Sequence, residues 1–78
     1  MSKKNNPLRD LGERIRHRRM ALGLSQEVLA ERSSLHRNYI GGVERGERNI
    51  SLINILKIAQ ALDLNPSALV ENLTPPSE

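Results

Sequence analysis

The sequence predicts an all-α fold, a compact domain of five short helices, and three observations carry that prediction. Apolar residues recur at spacings of three and four, the period of a helix, and nowhere alternate as they would along a strand. Residues that cap or open helices stand directly before the apolar stripes: Asn6-Pro7, Ser25, His36, Ser51 and Asn65-Pro66. No internal repeat or long linker divides the 78 residues. They therefore read as one domain, 7–73, between a flexible N-terminus (1–6) and a flexible tail (74–78).

The elements follow in order. Asn6 is a capping residue, and Pro7 is tolerated at the first helical position, where its missing N–H breaks no bond. Leu8, Leu11, Ile15 and Leu22 then recur at helical spacing, and Gly23 stops the helix. Arg19 interrupts this stripe, four residues after Ile15 and three before Leu22. Its guanidinium is expected to be partly buried and to need a carboxylate partner. Ser25 caps a second helix, Gln26 to about Arg32, with Leu29 and Ala30 facing the core; Val28 stands where a full capping box would place Glu or Gln. Ser33-Ser34-Leu35 is a short turn anchored by Leu35, and His36 caps a third helix running to about Arg45.

In the third helix Ile40 and Val43 point inward, and Glu44, four residues after Ile40, points with them, which makes it the partner for Arg19. Arg37, Asn38, Tyr39, Gly41 and Gly42 are left as a polar or bare outer surface. Each glycine inside a helix costs about 1 kcal/mol relative to alanine, so the missing bulk must be tolerated or used. Gly46 ends this helix, Glu47–Ile50 is a loop, and Ser51 caps a fourth helix from Leu52 to about Leu62. Its core stripe is read as Leu52, Ile55, Leu56, Ala59 and Leu62. Asn65-Pro66 opens a short fifth helix containing Leu69, Val70 and Leu73. Ile53, Ile58, Leu64, Leu69, Val70 and Leu73 exceed what so small a core requires, and are expected to form a two-fold dimer interface.

Composition narrows the function. Tyr39 is the only aromatic residue, so Leu, Ile, Val and Ala must fill the core. The absence of cysteine excludes a disulfide framework and a thiolate metal site, leaving oligomerisation as the available extra support. No apolar run approaches the roughly 20 residues of a membrane helix. The segment Met1–Asn6 has no apolar stretch behind it, so a signal peptide is not expected and the protein reads as cytoplasmic. Residues 1–48 carry eleven Lys/Arg against six Asp/Glu, whereas 49–78 carry one against three. This asymmetry suggests a polyanion-binding face in the first part and a packing or pairing surface in the second. His17 and His36, the only histidines, lie on different helices without evident partners. With no phosphate loop, metal spacing or nucleotide fingerprint, no enzyme activity, metal or cofactor is expected.

Two short helices joined by a tight turn, the second with polar residues in its first turn, suit major-groove reading. Arg37 can donate two bonds to guanine and Asn38 can pair bidentately with adenine; Asn38 also has a helix-start role open to it. The runs Gly23-Leu24-Ser25-Gln26-Glu27-Val28-Leu29-Ala30, Leu35-His36-Arg37-Asn38-Tyr39-Ile40 and Val43-Glu44-Arg45-Gly46 resemble the Cro/C1-type helix-turn-helix family, with its lambda-repressor-like fold, over about Leu11–Leu69. The stretch Tyr39–Leu52 is similar to the controller proteins of bacterial restriction–modification systems. Those are all-helical dimers that bind paired palindromic sites and both activate and repress their own transcription unit.

The resemblance implies that Gln26 caps the second helix or contacts phosphate, and that Arg37 and Asn38 occupy base-reading positions. It also implies that Tyr39, Arg45, Arg48 and Asn49 approach the sugar–phosphate backbone, and that Arg19 and Glu44 form the family's internal ion pair. For Tyr39, covering the core edge with its ring is an equal alternative. Ser34 replaces the turn glycine common in the family, and Gly42 stands where many relatives carry another base-contacting side chain. The expected partners are double-stranded DNA with a palindromic operator and a second copy of the chain, without a small-molecule effector. An antitoxin or phage-type repressor of the same fold is the alternative within DNA binding. A helical protein–protein adaptor is the alternative outside it, and leaves Arg37, Arg45 and Arg48 unexplained.

Overall fold

The computed structural model describes residues 5–76; of the ends expected to be flexible, 1–6 and 74–78, residues 1–4 and 77–78 lie outside the described residues. The helices are α1 (Pro7–Ala21), α2 (Gln26–Ser33), α3 (Arg37–Glu44), α4 (Leu52–Ala61) and α5 (Pro66–Val70). Most begin at a working cap. Asn6, Ser25 and Ser51 accept the N–H groups of Arg9, Val28 and Asn54 at 3.1, 3.1 and 3.2 Å, and Asn65 accepts that of Ser67 at 3.0 Å. These bonds satisfy donors that the helix itself cannot. His36 is the exception to the capping expectation: it holds the N-cap position, but its side chain makes no cap bond. Its carbonyl accepts from the Ile40 N–H at 3.0 Å, the ordinary first bond that Asn6, Ser25 and Ser51 make as well.

Four helices end in the same way. The N–H of Gly23, Ser34, Gly46 and Asp63, and that of the residue following each, turn back onto carbonyls of the preceding helix. This double closure needs left-handed backbone at its pivot, and the pivots have φ of 71, 58, 77 and 54°. Ser34 therefore does adopt the geometry that its missing glycine asks of it. Beyond α5, Thr74 and Pro75 offer their carbonyls to the Asn5 side chain at 2.9 and 2.8 Å.

The helices close a ring. α1 packs on α3 and α5, α2 on α3 and α4, and α4 on α5. Inside it Ile15, Leu29, Ile40, Val43, Ile58, Leu62 and Leu69 are fully buried. Ile50, from the loop before α4, joins them. Among the described residues no helix is long and apolar enough to cross a membrane.

Several apolar assignments change. Leu22 ends α1 40% exposed, because it lies past the last turn that packs on the core. In α4 the inward stripe is Ile55, Ile58, Ala59 and Leu62, while Leu52 and Leu56, expected inside, are 67% and 41% exposed. The helix is apolar around much of its circumference, so its spacing admits two phases and packing against α2 and α5 selects one. Ile58 and Leu69, assigned above to the dimer interface, are 0% and 1% exposed and belong to the core of the single chain. Ile53 and Val70 remain outside at 61% and 40%; Leu64 and Leu73 are partly covered by the core.

One close approach sets the position of α3. A Cβ at Gly12 would stand 2.4 Å from the Val43 carbonyl oxygen and 2.6 Å from that of Glu44. Both obstacles are backbone, so α1 and α3 can meet here only because residue 12 has no side chain. Replacing Gly12 with alanine should force the helices apart and cost about 1–3 kcal/mol, the usual range for overpacking, despite alanine's better helix propensity. Urea denaturation of Gly12→Ala checks this; unchanged or increased stability would show that the crossing is looser than these distances state.

Candidate nucleic-acid interface

The outer surface of α3 is built on a buried charge. Arg19, projecting from α1, donates from Nε and Nη2 to the two carboxylate oxygens of Glu44 at 2.7 and 3.0 Å, and from Nη1 to the Leu24 carbonyl at 2.8 Å. The side chains of Arg19 and Glu44 are only 12% and 2% exposed. The hydrogen bond to Glu44 raises the Arg19 pKa above that of an ordinary arginine, against the opposing effect of burial. Gln26 adds a third donor to the same carboxylate, Nε2 to Oε1 at 3.1 Å. The cap of α2 is Ser25, so the capping role considered for Gln26 is not the one it takes.

From this anchor α3 presents its first turn to solvent. Arg37 and Asn38 are its first two residues; both are exposed, and neither side chain is engaged by another described residue. Asn38 takes no capping role, since the N-cap position belongs to His36.

The middle of the helix differs from expectation. Gly41 and Gly42 are buried and not bare outer surface. Arginine side chains returning from beyond the helix end cover them. A Cβ on Gly41 would meet Arg45 Nη1 at 3.2 Å, and one on Gly42 would meet Arg48 Cγ and Nε at 3.2 and 3.3 Å.

Tyr39 is half-buried against the core, as its edge-covering alternative supposed, and its hydroxyl accepts a bond from Asn54 Nδ2 at 3.1 Å. The Arg48 guanidinium lies 5.5 Å from the centre of the Tyr39 ring. Arg45 is exposed and makes two bonds to Glu47, Nε–Oε2 at 2.9 Å and Nη2–Oε1 at 3.1 Å. These bonds lower the Glu47 pKa and raise that of Arg45. Water screens such an exposed pair, so it adds little to stability and Arg45 can exchange Glu47 for another anion. Asn49 is exposed in the loop that follows.

Other basic residues serve the fold. Arg14 donates to the Leu69 and Glu71 carbonyls at 3.0 and 2.8 Å, and Arg18 to the Leu62 carbonyl at 3.1 Å. The positive surplus of the first part is thus divided between helix-end anchoring and an exposed surface. Sequence reasoning missed Asn54, whose only signal is an amide within an apolar run, and Gln26 as a support for Glu44.

Removing one partner of a buried, fully bonded pair strands the other charge, at a cost of about 3–5 kcal/mol. Glu44→Ala should lose that much in chemical denaturation. The double variant Arg19→Met/Glu44→Leu, which strands no charge, should recover most of it. A double variant as unstable as Glu44→Ala would show that packing, and not the stranded arginine, sets the cost.

The helix-turn-helix family model matches residues 15–69. The chain is 45% identical over 64 residues to the control protein C.BamHI of Bacillus amyloliquefaciens, covering 81% of this chain and 79% of that protein. Its fold superimposes on the restriction-modification controller protein C.AhdI of Aeromonas hydrophila with a TM-score of 0.78 and 60% identity, over 80% of this chain and 94% of that one. The P22 c2 repressor, solved in complex with a synthetic operator, gives a TM-score of 0.73 at 33% identity, over 78% and 92% of the two chains. This chain belongs to the helix-turn-helix family and is a DNA-binding transcription regulator similar to restriction–modification controller proteins.

Proposed function

We propose that the protein binds a palindromic operator as a homodimer and regulates its own transcription unit beside a restriction–modification system, in the bacterial cytoplasm. The observation that carries the reading is the pair Arg37 and Asn38, exposed and unengaged in the first turn of a helix whose other face is locked to α1 and α2. Their donors are available for base edges without first breaking an internal bond. Gln26, Tyr39, Arg45, Arg48 and Asn49 supply the contacts to the sugar–phosphate backbone. No catalytic role is assigned to any residue.

Arg37→Ala should weaken binding to the native upstream DNA by about 1–3 kcal/mol and relax the preference at one symmetric pair of positions. Fluorescence anisotropy against a set of singly substituted operators tests this. Equal weakening on every duplex would make Arg37 a phosphate contact only.

For the dimer, the exposed Ile53 and Val70 and the half-covered Leu64 and Leu73 are joined by Leu52 and Leu56, which α4 also turns outward. Ile53, Leu56, Leu64 and Pro66 line one groove between α4 and α5, together with the polar Lys57, Gln60, Asp63 and Asn65. Pairing there is expected to set two copies of α3 about 34 Å apart, the spacing of successive major grooves. Ile53→Asp should give a monomer in sedimentation and abolish tight operator binding while leaving the fold intact by circular dichroism. A dimer that survives this change lies elsewhere on the surface.

In this reading the protein's own concentration is its signal. Dimerisation followed by filling of a second adjacent operator makes the response steep. A reporter on the native promoter should therefore rise and then fall as protein is titrated. Monotonic repression would favour a simple phage-type repressor and leave DNA binding untouched.

A further inference from the structure

We propose that Gly42 and Tyr39 form a seat that positions Arg48 before DNA arrives, with Gly42 left bare so that the arginine stem can lie across the recognition helix. This rests on the reading of Arg48 as a backbone contact and adds to it two residues that act through Arg48.

The seat has a floor, a wall and a brace. The floor is the Gly42 backbone: the positions of Arg48 Cγ and Nε leave only 3.2 and 3.3 Å to an ideal Cβ there. This is tighter than ordinary packing, so a side chain at residue 42 pushes the arginine stem away by at least a few tenths of an ångström. The wall is the Tyr39 ring, whose centre is 5.5 Å from the Arg48 guanidinium carbon, within the range where a cation is attracted to an aromatic face. The brace is Asn54, whose side-chain amide bonds the Tyr39 hydroxyl at 3.1 Å and ties the ring to α4.

The arrangement also accounts for a cost visible in the sequence. A glycine in a helix of eight residues weakens it relative to alanine, and its retention here is explained by the space it leaves for Arg48. An exposed arginine samples many rotamers, and ordering it on binding opposes association. Holding the stem against a glycine and the head against a ring removes part of that freedom in the free protein.

The test combines a structural readout in the free protein with a double-mutant cycle on DNA. If Arg48 occupies the seat, the protons at its guanidinium end lie near the Tyr39 ring and resonate upfield of free arginine in NMR spectra. Gly42→Ala and Tyr39→Leu should each abolish that displacement. Gly42→Ala should also bind operator about two- to tenfold more weakly per half-site, the range expected from freeing one long side chain. Circular dichroism should show its helix unchanged or strengthened. In an Arg48→Ala background the same Gly42→Ala change should cost nothing further.

A loss that persists without Arg48 means that the added methyl obstructs DNA directly, and overturns the seat. Unshifted Arg48 resonances in the wild-type protein overturn it as well. If Arg48→Ala binds operator as tightly as wild type, the proposal fails through the contact itself. The NMR shifts then show whether the seat nevertheless exists, which separates the two failures.

Discussion

The Glu44 carboxylate is the constraint on which the rest of the structure depends. It lies on α3, receives two bonds from Arg19 of α1 and one from Gln26 of α2, and so fixes three helices at a single point. The remaining Arg19 donor reaches the Leu24 carbonyl, which brings the α1–α2 loop into the same network. An ion pair this deeply buried is tolerable only because its groups are paired and bonded, and among the described residues no buried side-chain polar atom lacks a partner. The gap at Gly12 cooperates with it. The backbone oxygen of Glu44 is one of the atoms a Cβ at residue 12 would strike, so a close approach of α1 to α3 and their ion pair meet at one residue.

Charge is divided by the same geometry. Arg14, Arg18 and Arg19 lie on α1, and all three turn back to the chain, two onto carbonyls at the ends of α4 and α5 and one onto Glu44. Arg14 and Arg18 complete helix ends that would otherwise leave acceptors unmatched. Arg37, Arg45 and Arg48 belong to α3 or to the turn after it and remain on the exposed side. An excess of basic residues could not separate these groups by count, because both kinds are arginines in the first part of the chain.

What the sequence made legible was local. Asn6, Ser25, Ser51 and Asn65 cap the helices they precede, and Gly23 and Gly46 close the helices they follow, because these bonds involve residues two to five apart. The Arg19–Glu44 pair was legible too, since each interrupts an apolar stripe and each requires the other. The phase of α4 was not: Leu52, Ile53, Ile55, Leu56 and Ile58 leave the helix apolar on several sides, and only its neighbours decide which side is buried. Nor was the cover over Gly41 and Gly42, which comes from side chains four and six residues away that fold back across the helix. The support of Tyr39 by Asn54 joins residues on different helices and leaves no mark in either one's spacing.

Two adjacent glycines would ordinarily make α3 a soft element, since they widen the conformations open to the unfolded chain and leave backbone open to water. Here that exposure is offset from three directions. Ile40 and Val43 hold the inner face in the core, Glu44 fixes the last turn through its ion pair, and Gly46 and Glu47 close the end onto the Val43 and Gly42 carbonyls at 3.0 and 2.9 Å. The outer face is then sheltered by the arginines themselves. The side chains that bring positive charge to this surface also shield the weakest stretch of backbone beneath it, so stability and readiness for a polyanion are supplied by the same residues.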